Sequence, residues 1–460
     1  MEVRRGEKMQ SFTTERRNNL SVHVLPTHQY ANYYVQINLI NAQQTIPSAI
    51  FVMIVRLLMN SCRRFPSNRL LQQQLWSLYG ADLTCRFDYK GDTQIASITM
   101  RIPRITEDKL ITGTQMEAIH SAVQLLAGLL YDPAVDDHGM FDEMQVQDEM
   151  AWTEHHIAHD GTDWDKVVQS RCLEWMGYEG QNRQLALDEL RHCVISHELC
   201  RHYQALIQIP IHVHVLGDIY PGRIMDLIWE QFECGNREVF KRCCSERESE
   251  LHPINTQYPG EDEVEGRQGN PAEQREAEAM MMELLDIQQC KINVTYSTDI
   301  RYGSALYPAL FVFHTLFGAT PASRLQVELR ERSQLVYQVT STLDDFRETL
   351  HITTGTSSAN VTAVLEGIDM EWKRICDGDV SERELYTAVQ NVMHYVQVGF
   401  DLPHQVITNH MDQVLSESQM TTVQFLEEIA EVTPERVASV ATELRKEVTW
   451  ILYPESEYSA

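Results

Sequence analysis

No run of apolar residues in this sequence is long enough to cross a bilayer. The longest, Ala49–Met59, is interrupted only by Arg56 and falls short of the ~20 residues that a spanning helix needs. A membrane partner is therefore not expected. Positive charge is scarce as well. Lys and Arg number 38 against 66 Asp and Glu, a formal net charge of −28. Such a surface repels phosphate backbones, which argues against a nucleic-acid partner and mildly favours basic peptides. The ten cysteines show no C-x-x-C spacing, and Cys243–Cys244 are adjacent. Neither a zinc knuckle nor a usual disulfide framework fits, so reduced thiols and a cytoplasmic location are expected. The stretch MEVRRGEKMQSFTTERRNN carries positive charge with no apolar segment behind it, so it does not read as a secretory signal.

What is present is globular. The 460 residues are 43% hydrophobic, ample for two to four domains with real cores. Asn32–Ile40 alternates, with Tyr33, Val35, Ile37 and Leu39 on one side, and predicts a strand with one buried face. Ile46–Arg64 is apolar almost all round and predicts a buried helix with Pro47 near its start. A second helix is predicted over Asn68–Leu78, ending at Gly80. Strands follow at Leu83–Tyr89 and Ala96–Ile102 around the Lys90-Gly91-Asp92 turn. Helices are predicted at Gln115–Tyr131, Phe141–His156 and Pro221–Phe232, with a strand at Pro210–Leu216.

From 245 to 284 the sequence turns acidic and loses aromatics, which predicts a solvated linker, helical near its end. The order then repeats: a strand at Ile292–Tyr296, helices at Tyr307–Leu316 and Ala322–Arg332, strands at Val336–Leu343 and Leu350–Gly355. Helices at Val361–Cys376, Glu382–Val396 and Pro434–Leu444 follow, and a closing strand at Glu447–Tyr453. The repeat predicts an α+β chain of two homologous domains, 18–244 and 285–460, each an antiparallel sheet covered by helices.

The densest motif is FGATPASRLQVELRERSQLVYQV, Phe317–Val339. Ser323 is placed to cap a helix carrying Leu325 and Leu329 on one face. Arg330 and Tyr337 stand seven residues apart, and a helix running through both would set them on nearly the same side. The block S-R-L, L-R, L-V-Y, V resembles the C-terminal domain of the insulinase/pitrilysin peptidases. Leu78-Tyr79-Gly80-Ala81, Lys90-Gly91-Asp92 and His214-Val215-Leu216-Gly217-Asp218 resemble the same family's N-terminal domain. The likeness is to a zinc-less bacterial branch associated with aminopentanol modification of elongation factor P. It implies half of a clamshell, and it implies that Arg330 and Tyr337 complete an active site. Peptide hydrolysis by metal-bound water puts negative charge on the carbonyl oxygen, and a phenol and a guanidinium beside that oxygen stabilise it.

The family's H-x-x-E-H motif is absent. The matching helix reads IFVMIVRLLMNSC, with Ile54, Leu57 and Leu58 near the positions where ligands and base are expected. Aliphatic side chains do not bind zinc. Glu149 falls near the distant ligand position, without histidines to join it. The chain is therefore read as binding no metal and no cofactor itself. Three further histidine groups have spacings that resemble metal sites. His197 and His202 flank one residue too many for a zincin motif. His155 and His159 are four apart beside Glu154 and Asp160. His212 and His214 alternate along a strand. A capped helix start, a solvated helix end and a strand's polar face are the plainer readings. The resemblance implies a non-metal subunit of a two-chain peptidase, partnered by a zinc-bearing sister and acting on peptides. The alternative is an inactive scaffold supporting elongation factor P maturation.

Overall fold

The computed structural model describes residues 11–42, 45–104, 112–136, 139–160, 162–178, 183–192, 196–243 and 278–458. Most of the predicted acidic linker lies outside them. The described residues fall into two compact units. One takes those up to Tyr89, Thr93–His156 and those from Gln184 to Cys243; the other takes Lys90–Asp92, the stretch from Ile157 to Arg183, and everything from 278 onward. The units are thus not contiguous in sequence, unlike the predicted domains.

The first unit opens with β1 (Thr13–Arg17), β2 (Leu20–Pro26) and β3 (Asn32–Asn41), followed by α1 (Ser48–Asn60) and α2 (Asn68–Ser77). The first helix stops at Ser61, whose extended backbone breaks it well before Arg64. Ser67 caps α2 by accepting from the Leu70 N–H, and Gly80 turns the chain at φ +74°. Then come β4 (Asp82–Lys90), β5 (Thr93–Pro103), α3 (Thr112–Tyr131), α4 (Glu143–Asp160), α5 (Trp164–Trp175), α6 (Arg183–His192), α7 (Ser196–Leu206), β6 (Ile211–Gly217) and α8 (Pro221–Cys243). Of these, α5 belongs to the second unit. The sheet order is β1-β2-β6-β3-β5-β4. Helices α3 and α8 pack together, α3 on β5 and α8 on β2, while α1 packs on α7, α3 and β5.

The second unit holds β7 (Ala279–Leu285), β8 (Cys290–Ser297), α9 (Tyr307–His314), β9 (Val339–Asp344), β10 (Thr349–Thr356), α10 (Val361–Cys376), α11 (Glu382–Phe400), α12 (Pro403–Leu415), α13 (Thr422–Ala430), α14 (Pro434–Glu443) and β11 (Arg445–Pro454). Between α9 and β9 lie two π-helical segments, Thr315–Ala319 and Gln326–Arg332. The expected linker therefore ends early, because Ala279–Leu285 pairs along β11 as a strand. The sheet order is β7-β11-β8-β10-β9.

The predicted duplication is visible in the pairing. In the first unit β2 runs parallel to β6, β6 antiparallel to β3, and β3 antiparallel to β5. In the second, β7 runs parallel to β11, β11 antiparallel to β8, and β8 antiparallel to β10. Strand β1 is the one addition. Each sheet thus has one parallel pair in an otherwise antiparallel order. A parallel neighbour needs a long crossover, and in each unit the whole helical middle supplies it. Helix α5 covers one face of the second sheet: Val168 joins Ile287 and Leu452 in a small buried cluster edged by Trp164 and Trp450. The main core of that unit lies on the opposite face, around Phe313, Phe317, Leu325, Leu329 and Ile368.

Candidate functional site

Two places bear on chemistry, one in each unit. In the second unit, Leu325 and Leu329 of the S-R-L block are buried. Ser323 begins this helical stretch, and the Val327 N–H donates to its carbonyl. Its hydroxyl, however, finds no hydrogen-bond partner among the described residues, so the side-chain cap is not formed. Arg324 is buried and structural. Its guanidinium donates to both oxygens of Glu384 at 3.1 Å and to the Asp379 carbonyl, and lies 3.7 Å from Glu371.

The helix does not run through Arg330 and Tyr337. It ends at Arg332, with the Ser333 N–H on the Glu328 carbonyl and the Leu335 N–H on the Leu329 carbonyl. Gln334 turns the chain at φ +53°. This reversal, and not helical periodicity, brings the two side chains together. The Arg330 guanidinium carbon stands 5.7 Å from the centre of the Tyr337 ring, within cation–π range. Tyr337 is 84% exposed. Glu328 is occupied by Arg332 at 3.1 Å, and among the described residues no carboxylate forms an ion pair with Arg330.

In the first unit, Ile54, Leu57 and Leu58 are fully buried in the core. Glu149, at the expected distant ligand position, meets α1 two residues further on, which shifts the expected register. The face of α1 that meets Glu149 carries Arg56 and Asn60. Arg56 Nε donates to Glu149 Oε2 at 2.6 Å, and Asn60 Nδ2 donates to Oε1 at 2.7 Å. The Arg56 guanidinium also lies 3.4 Å over the Trp152 ring. Arg56 and Asn60 stand four residues apart, the spacing at which the outer histidines of H-x-x-E-H bind a metal. Both oxygens of the buried Glu149 are thus already taken, by a guanidinium and an amide. The residues here do not fit zinc. The sequence signal for this cluster was Arg56 itself, the one charge inside an apolar helix.

The other histidine groups resolve individually. His155 and His159 are exposed on α4, and the adjacent Glu154 pairs with Arg191 at 3.2 Å. The side chain of His197 lies outside the described residues. His202 is partly buried, and burial lowers its pKa. His214 is not on a solvated polar face: it is buried, and its Nδ1 bonds Asn38 at 3.0 Å. His212 Nδ1 meets His23 Nε2 at 2.9 Å, and burial, helped by Arg16, pushes its pKa down to about 4. His23, His212 and His214 thus link neighbouring strands across the sheet.

With this geometry described, comparison with known proteins shows what the chain is similar to. The peptidase M16 inactive domain matches residues 248–392. That stretch, about a third of the chain, is similar to the M16 domain. The M16 group is the insulinase/pitrilysin family that the S-R-L block resembled, and the likeness extends to both halves. The probable inactive metalloprotease YmfF of Bacillus subtilis (strain 168) is 22% identical over 407 residues, covering 87% of this chain and 88% of that protein. A conserved protein from Enterococcus faecalis V583 has the same fold, with a TM-score of 0.78 at 20% identity over 97% of this chain and 99% of that one. The periplasmic protease PqqL from Escherichia coli matches with a TM-score of 0.66 at 13% identity, over 98% of this chain but 46% of its own. No helix among the described residues is long and apolar enough to cross a membrane.

Proposed function

We propose that this chain is the zinc-free subunit of a two-chain M16 peptidase, and that Arg330 and Tyr337 are its contribution to the reaction. A sister chain would supply H-x-x-E-H, zinc and general base. The observation that carries the reading is the contrast between two arginines of one motif. Arg324 is buried in ion pairs, while Arg330 is held beside an exposed phenol with no carboxylate pairing it among the described residues. A guanidinium and a phenol kept free of internal partners are donors available to a peptide carbonyl. Strand β9, which begins two residues after Tyr337 at the edge of its sheet, offers backbone groups along which an extended peptide could pair.

The sister is expected to be encoded next to this chain, and the test is co-expression of the two, followed by a peptide-cleavage assay with and without a chelator. The complex should cleave, and the chelator should abolish cleavage. Arg330→Ala or Tyr337→Phe should lower turnover by ~10²–10³ while leaving assembly intact. Wild-type rates from both variants would refute the site. A complex that assembles but never cleaves, or a sister that also lacks H-x-x-E-H, would favour the scaffold reading, in which the fold is kept to bind a protein and supports elongation factor P maturation.

A further inference from the structure

The second unit contains a cavity of about 220 Å³ that the peptidase reading does not use. Its walls are aromatic. Tyr307 and Phe425 stand 5.7 Å apart, Tyr302 and Tyr307 4.9 Å, and Phe311 and Phe425 5.9 Å, measured between ring centres. Its charged groups are Asp345, Asp412 and Lys90. Lys90 Nζ is 3.0 Å from Asp412 Oδ1 and 3.1 Å from Oδ2, so these two neutralise each other. Asp345 forms no ion pair among the described residues; Lys90 acts on it from nearby and the Tyr307 hydroxyl donates to its carboxyl, leaving one oxygen over. Its Oδ1 is buried, and no hydrogen-bond donor reaches it among the described residues. Buried carboxyls are nearly always satisfied, and a ring-lined cavity with one orphan carboxyl oxygen is the arrangement that binds organic ammonium groups.

We infer that this cavity is a binding site for an alkylammonium group, held between the aromatic rings with its N–H donors on Asp345. The bound ammonium would donate to Oδ1, and the ring faces would replace part of its hydration. The charge count favours one cation: Lys90 already pairs with Asp412, and among the described residues nothing else positive lines the cavity. The inference is independent of the peptidase reading. It holds whether or not Arg330 and Tyr337 act on a peptide.

The same chemistry has two sources, a free amine or a lysine side chain within a peptide. Calorimetric titration of the full chain with cadaverine and with Nα-acetyl-lysine N-methylamide separates them. Nα-acetyl-norleucine N-methylamide is the uncharged control. Saturable binding of at least one amine is expected, with no binding of the norleucine compound. Asp345→Asn keeps the shape and removes the charge, and should weaken binding by at least ~10-fold, the lower end of what one buried charge contributes. Near-ultraviolet circular dichroism confirms that the variant is folded.

The wild-type protein offers a second readout. Burial pushes the Asp345 carboxyl up to about 7; Asp412 and Asp344 push it further, and the Tyr307 hydroxyl and Lys90 pull it back. Burial raises the pKa of Tyr302, and Asp412 and Asp345 nearby raise it further. Amine affinity should therefore rise with pH below about 7 and level off above it. Equal binding of the norleucine compound, unchanged affinity in Asp345→Asn, a flat pH profile, or no saturable binding by ~10 mM, weaker than the usual range for specific ligands, would each overturn the inference.

Discussion

Arg324 and Arg330 belong to one short segment, and burial gives them different duties. Arg324 holds Glu384 and lies near the buried Glu371. Its loss would leave the buried Glu371 with Arg374 and the partly exposed Glu384 with Ser381, so Arg324→Ala should cost about 2–3 kcal/mol. Arg330 is exposed, and Arg330→Ala should stay within ~0.5 kcal/mol. Thermal melts of the two variants check the contrast; similar losses would mean that Arg330 is structural. The Arg56–Glu149 pair obeys the same physics. Arg56→Ala leaves Glu149 buried with only Asn60 as a partner and should cost about 2–4 kcal/mol. The double change Arg56→Met with Glu149→Leu removes both charges and should recover most of that loss. Urea denaturation distinguishes the outcomes, and a double variant as weak as the single one would show that the pair is not coupled.

At the scale of elements, the structure sets the register of α1. If Arg56 and Asn60 stand where a metal's histidines would, Arg56→His with Asn60→His should gather zinc beside Glu149, measurable by metal analysis after dialysis. The same exchange at Ile54 and Leu58 should disrupt the core and bind none. Zinc at the second pair and not the first would reverse the assignment. The end of β6 is fixed by Gly217 at φ +153°. A Cβ there would lie 2.5 Å from the Tyr33 ring, so Gly217→Ala should cost about 2–3 kcal/mol.

The buried histidines also predict a pH response. His212, His314 and His351 are held neutral by burial, which pushes each pKa down to about 4 from 6.5. In the unfolded chain these imidazoles bind protons at higher pH, so their share of stability is complete above 6.5 and is lost as pH falls towards 4. Asp345 acts in the opposite sense. Its carboxyl rises from 3.8 to about 7, so the folded state binds the extra proton and stability falls as pH rises through that window. Three imidazoles outweigh one carboxyl. The melting temperature should therefore climb between pH 4.5 and 6.5 and then flatten; a falling curve would contradict the assignment of buried neutral histidines.

For the molecule as a whole, the sequence alone established the α+β class, the duplication and the missing metal motif. Hydrophobic periodicity is local, and it survives in strands such as β3, β8 and β10 because each must bury apolar positions wherever it ends up. Absence of histidine from α1 is likewise a fact of composition that no folding can reverse. Tertiary structure decided the rest. It made Ala279–Leu285 a strand, since the parallel pairing to β11 comes from distant chain. It also grouped α5 and Lys90–Asp92 with the second unit. It paired Arg56 and Asn60 with Glu149, and it brought Arg330 to Tyr337 through a reversal at Gln334. These depend on which distant side chains meet once the chain is packed, and a local pattern carries no record of that.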